Sequence, residues 1–189
     1  MDKKYIEHQK LILPTLRGKM GDWFYYVTLM PFKEIADRVV SLTSTPFHSQ
    51  ERREFTQSDM THKTQEELVE YLKKQEQRFF NSLIVGIYDG NPTWQELDVL
   101  GNKNIYEEFP EERLDYLSRT FGILTLNGDE NIFVINGQPQ THAIKNAIKQ
   151  DNTLETEELA VIFVAHKNTP EGRLRTNRLV SNLNQYAHL

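Results

Sequence analysis

Short apolar runs and helical repeats of apolar residues are interleaved along this chain. The apolar runs, bounded by turn-forming residues, predict five β-strands, at 23–30, 82–88, 122–126, 131–135 and 159–165. Apolar residues spaced three and four apart predict five helices, at 32–40, from Thr64 past residue 72, within 106–119, from about Pro139 past Ile148, and at 173–186. This mixture predicts an α+β fold, and we expect residues 1–189 to form a single domain.

Three segments between these elements have no clear period. Residues 41–62 are polar and predict a loop, or a short helix near 50–56, that is mobile at one or both ends. Residues 17–22 contain two cations and two glycines, which is typical of a solvated turn or, alternatively, of a loop that touches phosphate. Residues 94–104 are irregular, and the five acids between Glu107 and Asp115 predict a solvated helix rather than a paired-carboxylate active site.

Residues 121–147 form the stretch around which the other elements are arranged. Two strands flank Asn127-Gly128-Asp129, whose residues suit a hairpin turn. Asn136-Gly137 then ends the second strand, and a helix follows with Pro139 in its first turn. A glycine turn that leads from a buried strand into a helix is a natural anion site, because the first helical N–H groups are unpaired. A plain structural connection is the alternative.

Composition narrows the class of protein. The 189 residues carry a net charge of -5, which gives no general attraction to nucleic acid. The absence of cysteine excludes disulfides and thiolate chemistry. The first ten residues are too charged for a secretory signal, and no apolar run approaches the roughly 20 residues of a membrane span. We therefore expect a cytoplasmic protein that has no contact with membranes and no metal site.

The segment 134–144 resembles the signature of the DGQHR-domain family, whose members are related to DndB and are similar to the ParB/sulfiredoxin superfamily. The family pattern is an apolar strand, Asp-Gly-Gln-His-Arg, two variable residues, alanine and an apolar residue. Four positions match the pattern, namely Gly137, Gln138, Ala143 and Ile144. The resemblance implies a ParB/sulfiredoxin-like mixed sheet flanked by helices.

Three positions depart from that pattern. Asn136 stands in place of aspartate, Pro139 in place of histidine and Gln140 in place of arginine. Arginine offers a charged, forked set of donors that suits phosphate, whereas glutamine does not. The resemblance implies a ligand-binding turn, and we interpret it here as degenerate. The residues of this degenerate turn are Asn136, Gly137, Gln138, Gln140 and His142.

The helix at 173–186 carries the second part of the resemblance. The family element Arg-x-Leu-Phe-x-x-Leu-Asn-x-x-Ala is matched at five positions, namely Arg178, Leu179, Leu183, Asn184 and Ala187. Typical members continue beyond this helix, so the resemblance covers the front half of such a member. The residues singled out for contacts with phosphate or nucleic acid are Arg173, Arg175, Arg178 and Asn184.

Three functions follow from these residues and the resemblance. The first is a non-catalytic regulator, linked to DNA modification or phage defence, that binds a protein partner or a second copy of itself. The second is a DNA-binding transcriptional regulator, supported by the arginines near the C-terminus together with Arg17 and Lys19. The third is a nucleotide-binding, ATPase-like enzyme that uses the turn at 136–142. No cofactor is certain, and a nucleotide is the candidate ligand.

Overall fold

The computed structural model describes residues 9–45, 62–98 and 110–186 of the chain. Eight strands are present there, namely β1 Leu11–Met20, β2 Trp23–Pro31, β3 Val39–Ser41, β4 Leu83–Tyr88, β5 Thr93–Glu96, β6 Phe121–Leu126, β7 Asn131–Asn136 and β8 Glu158–Ala165. Five α-helices accompany them, namely α1 Phe32–Arg38, α2 His62–Lys74, α3 Glu111–Thr120, α4 Gln138–Gln150 and α5 Pro170–Tyr186. The predicted α+β class is confirmed.

The strands form one mixed sheet in the order β3-β7-β4-β8-β2-β1-β6-β5. The pairs β3–β7 and β4–β8 are parallel, and the other neighbours are antiparallel. The two edge strands, β3 and β5, contain only three and four residues. Short edges leave little unpaired backbone for another chain to extend.

The sheet is strongly coiled, as two short connections require. In a flat sheet β6 and β7 would lie five strand spacings apart, about 24 Å. Residues 127–130 alone join Leu126 to Asn131, and five Cα steps span at most about 18 Å. The link between β4 and β5 bridges the same separation with residues 89–92. The two ends of the sheet therefore approach each other.

The inner face of this coil holds the main core. Side chains from both ends of the sheet, such as Leu126 of β6 and Val134 of β7, belong to one buried cluster. Helices α1, α2 and α4 pack into the same cluster through Ile35, Leu72 and Ile144. The position of Gly137 is fixed by this arrangement, because α4 starts directly after β7 and must turn onto the inner face.

The outer face is covered by α5 over part of the sheet. Val180 of α5 is buried together with Phe133, Ile135 and Val164, and Leu179 and Leu183 pack against this second cluster. Gly86 allows the approach of Phe133, because a Cβ at this position would overlap the phenyl ring. No helix in the described ranges is long and apolar enough to cross a membrane.

The predicted hairpin at 127–129 is wrong, although both of its strands exist. Gly128 does adopt a positive φ of 106°. However, β6 pairs with β1 and β5, whereas β7 pairs with β4 and β3. The turn therefore links two distant strands of a coiled sheet.

Other boundaries also differ from the sequence predictions. Residues 17–20 continue β1 as a strand, and only Gly21 and Asp22 form the turn that was predicted to span 17–22. The helix predicted at 32–40 ends at Arg38, because the β-branched Val39 and Val40 pair with β7. Further differences are the strand β5 within 94–104, the start of α2 at His62 rather than Thr64, and the start of α5 at Pro170 rather than Arg173. The predictions made for residues 46–61 and 99–109 concern residues outside the described ranges.

Candidate functional site

The turn between β7 and α4 places Gly137 at the N-cap of α4 in a left-handed conformation. Its φ is 98° and its ψ is 26°. A Cβ at this position would overlap the Cδ2 atom of Leu83, which is fully buried at the start of β4. Glycine is thus required by the backbone conformation and by the packing of the neighbouring strand.

The first turn of α4 has few donors for a ligand. Gln138 and Pro139 occupy its first two positions, so the N–H of the second is missing. Thr141 donates its N–H and its hydroxyl to the Gly137 carbonyl, both at 3.0 Å. Only the N–H groups of Gln138 and Gln140 remain from the set that usually makes a helix N-terminus attractive to anions.

The side chains of this turn include no lysine or arginine. The Oε1 atom of Gln140 is buried and has no hydrogen-bond partner within the described residues. His142 is exposed, and its ring nitrogens lie 3.2 Å from Nδ2 of Asn146 one helical turn later. Asn136 ends β7 opposite Ile84 of β4. Asn136, Gly137, Gln138, Gln140 and His142 are thus contiguous around one turn, without the forked cation that binds phosphate.

Helix α5 begins at the other end of the strands from the Gly137 turn. Gly137 follows the end of β7, where Asn136 pairs with Ile84 at the start of β4. In contrast, α5 follows the end of β8, where Ala165 pairs with Ile87 at the far end of β4. The start of α5, which carries Arg173 and Arg175, therefore lies at the opposite end of β4 from the Gly137 turn.

Arg175 instead connects α5 with the turn of the β1–β2 hairpin. Its Nη2 donates to the carbonyl of Asp22 at 2.5 Å, and its guanidinium lies 3.8 Å from the centroid of the Trp23 ring. Arg173 donates to Oδ1 of Asn168 at 2.9 Å. Arg178 is exposed on the same helix, and Asn184 lies in its last turn, where its side chain falls outside the described set.

The hairpin next to Arg175 extends past its neighbours in the sheet. Pairing of β1 with β6 ends at Leu16, and pairing of β2 with β8 ends at Tyr25. Residues 17–24 continue as a two-stranded ribbon in which Lys19 faces Phe24. Met20 at the tip is 72% exposed and Phe24 is 51% exposed. We call residues 17–24 the hairpin tip.

Cations and aromatic rings alternate on this ribbon. Lys19 Nζ lies 5.5 Å from the centroid of Phe24, and the Arg17 guanidinium lies 4.0 Å from that of Trp94. Arg17 also forms a 2.9 Å ion pair with Glu96. The sequence shows the two cations, but a loop at residues 17–22 does not predict their aromatic partners. The alternation of residues 17–26 was the available signal.

Charge is unevenly distributed over the protein. The hairpin tip and residues 167–178 together contain six Lys or Arg residues and two acids, which gives +4 within a chain of net charge -5. These two segments meet through Arg175. We call them together the positive end, because the remaining residues carry all of the net negative charge.

His166 is a buried polar residue of this region that sequence analysis did not single out. It follows β8, and its Nδ1 lies 2.6 Å from Oγ1 of Thr176 in a hydrogen bond that joins the strand end to α5. Its ring contacts Tyr88 and Phe133 edge to face. Burial, reinforced by the charge of Arg173, lowers the pKa of His166 below its usual value of 6.5. On α4, burial and the charge of Lys149 likewise lower the pKa of Lys145.

Comparison with known proteins identifies the family. The family model described as DndB, DNA-sulfur modification-associated, matches residues 13–188. The chain belongs to the DndB family. Comparison with curated proteins and with solved structures gave no match. Membership in the DndB family confirms the predicted relationship and links the chain to DNA sulfur modification, while the resemblance to the ParB/sulfiredoxin superfamily stays a prediction.

Proposed function

We propose that this DndB-family protein is a non-catalytic regulator of DNA sulfur modification. It acts by binding other components, and it does not turn over nucleotide. The observation that carries this proposal is the composition of the Gly137 turn. Pro139 removes one backbone donor, Thr141 uses its own donors within the turn, and Gln140 stands where a phosphate-binding arginine is expected.

The surroundings of the turn support the same conclusion. No group of three or more histidines, aspartates and glutamates able to hold a metal ion occurs among the described residues. Arg175, one of the arginines considered for phosphate contact, is held at the other end of the strands by Asp22 and Trp23. Phosphoryl chemistry depends on positioned cations that neutralise the developing charge. The Gly137 turn positions backbone N–H groups but contains no lysine or arginine side chain.

Calorimetric titration with ATP, CTP and GTP, each with magnesium, tests this proposal. The native chain is compared with a variant that carries Asn136→Asp, Pro139→His and Gln140→Arg. We expect no heat of binding from the native chain and measurable binding by the restored variant, because Arg provides forked donors at the helix N-terminus. Nucleotide binding with turnover by the native chain would contradict the proposal. If neither folded chain binds, the interpretation of the turn as a former nucleotide site is wrong.

DNA binding is a second candidate function, and the positive end favours it. A two-stranded ribbon is narrow enough to enter the major groove of B-DNA. In this proposal the exposed Lys19 and Arg178 contact phosphates, and the exposed Phe24 and Met20 contact bases. Arg175 holds the hairpin tip against α5, so the two elements present one surface.

Fluorescence anisotropy with a labelled 20-base-pair duplex tests this candidate across a salt series. We expect affinity to fall steeply with salt, because cations displace the counterions of phosphates. Lys19→Ala should lower the slope of log K against log salt by about 1, as expected for one lost phosphate contact. Lys74→Ala is the matched control, because Lys74 is an exposed cation on α2, outside the positive end. Equal losses from both variants would refute a specific role for the hairpin tip.

A further inference from the structure

Part of the outer face of the sheet is apolar and lies beyond the cover of α5. Strand register places Phe121, Leu16, Val27 and Ile162 side by side in one row across β6, β1, β2 and β8. The next row contains Ile123, Pro14, Leu29 and Ala160, where Ile123 pairs with Pro14 and Leu29 pairs with Ala160. We call these eight positions, together with Ile12 on the following row, the open face.

Measured exposure separates the open face from the rest of the sheet. Ile12 is 59% exposed, Leu29 is 57%, Leu16 is 42% and Phe121 is 40%. On the other half of the same outer face, Phe133 and Ile135 are at most 5% exposed because α5 lies over them. The alternation of β1 is therefore apolar on both sides, with Leu13 buried inside and Ile12 directed outward. Adjacent exposed apolar residues of this kind mark interaction surfaces in soluble proteins.

We propose that the open face is a self-association surface on which a second copy of this chain docks. The proposal goes beyond the function proposed above, because neither the Gly137 turn nor the positive end takes part. The nine positions of the face carry no charge, and the charged residues at its margins include Glu158 at the start of β8 and the exposed Lys10, two positions before Ile12. A neutral surface does not select an oppositely charged partner or a nucleic acid. A two-fold axis would instead bring like apolar rows together without opposing charges.

The shape of the open face also favours a second copy of this chain as its partner. Leu29 projects between the smaller Pro14 and Ala160. A two-fold arrangement allows Leu29 of one copy to fill the depression beside Leu29 of the other. Sheets that meet in this way pack about 10 Å apart, with their side chains interdigitated.

The size of the face sets the expected affinity. The nine positions cover roughly 290 Å² in projection, about 32 Å² each, from strand spacings of about 4.8 Å and residue rises of about 3.3 Å. Stable complexes usually bury about 800 Å² of accessible surface on each partner. The outside of a coiled sheet is convex, so little can be added at the margins. We therefore expect a dimer with a dissociation constant in the micromolar range.

Sedimentation velocity between about 1 and 300 μM, a range that brackets a micromolar constant, tests the proposal. We expect the native chain to shift from the mass of one chain to that of two as concentration rises. Leu29→Glu should raise the dissociation constant at least tenfold, because the dimer would then bury an unpaired carboxylate. Val40→Glu is the matched control, because Val40 is 39% exposed but lies on the edge strand β3, which β7 and β4 separate from β8. A single-chain mass at every concentration, or equal effects of both variants, would overturn the proposal.

Cross-linking gives an independent readout that does not weaken the face with a charge. Because the chain has no cysteine, Leu16→Cys introduces one reactive thiol into the centre of the open face. A short bismaleimide should join two chains through Leu16→Cys and leave Val40→Cys largely monomeric. Circular dichroism checks that each variant is folded, and Ile12→Glu replaces Leu29→Glu if the latter is not. Cross-linking of the control alone would place the contact elsewhere and contradict the proposal.

Discussion

Replacing Gly137 by alanine should destabilise the protein through two separable effects. The first is the left-handed backbone, with φ at 98°, which costs an L-residue about 1–2 kcal/mol. The second is the overlap between the new Cβ and Leu83 Cδ2. Leu83 has no exposed surface, so it must shift within a filled core, and overpacking of this kind costs about 1–3 kcal/mol. We expect the free energy of unfolding to fall by about 2–5 kcal/mol, the sum of these terms.

Gly21→Ala provides the matched control for the backbone effect. Gly21 also has a positive φ, 55°, but no atom lies within 4 Å of the position of its Cβ. Both substitutions restrict the unfolded chain by the same amount, so that contribution cancels in the comparison. The difference between the two variants, about 1–3 kcal/mol, is then the cost of the contact with Leu83.

Urea unfolding followed by circular dichroism measures both changes on one scale. The double variant Gly137→Ala, Leu83→Ala isolates the contact further, because it removes the obstructing side chain. We expect it to lose less stability than the sum of the two single substitutions. If Gly137→Ala is no more destabilising than Gly21→Ala, the packing of the turn against β4 is not as the structure describes, and the argument that this glycine is fixed by its neighbour fails.

Two further predictions concern the second buried cluster, which lies between α5 and the sheet. His166 has a pKa below its usual 6.5, so the unfolded chain binds more protons than the folded chain as pH falls through that value. The contribution of His166 to stability should therefore be complete above about pH 6.5 and decline below it. In thermal melts between about pH 5 and 8, His166→Gln should flatten this decline. The control substitution His142→Gln, at an exposed position, should not. Gly86→Ala would drive a Cβ into the Phe133 ring, and we expect a loss of about 3 kcal/mol or more in urea unfolding, since neither residue has room to move. An unchanged midpoint for Gly86→Ala would refute the described approach of Phe133.

Much of the element content was predictable because local patterns decide it. The apolar run 159–165 became a strand, although its outward positions Ala160 and Ile162 are only partly buried. The spacing of Ala143, Ile144 and Ala147 placed α4 against the core. The pairing of strands was not predictable from local patterns. Asn127-Gly128-Asp129 has the composition of a hairpin turn, yet the partners of β6 and β7 are chosen by distant strands.

The candidate sites, like the fold, were predictable only where a local pattern decides them. The Gly137 turn could be located because a glycine at a strand end has a local signature, and its position on a helix N-terminus is confirmed. The separation of the α5 arginines from that turn depends on the direction in which β8 crosses the sheet, which no local pattern reveals. The contact of Arg175 with Asp22 joins residues 153 positions apart, so the hairpin tip and α5 could be recognised as one surface only in the folded chain.

The coiled sheet has a consequence for how this protein acquires its structure. Apart from the β1–β2 hairpin, every strand pair joins segments that are well separated along the chain, and β2 meets β8 more than 130 positions later. The entropy of closing such loops must be lost before the contacts that offset it can form. We therefore expect refolding to be slow for a domain of this size, on the order of milliseconds to seconds. The Gly137 turn, held between β7 and β4, should then mature only with the closing of the whole sheet.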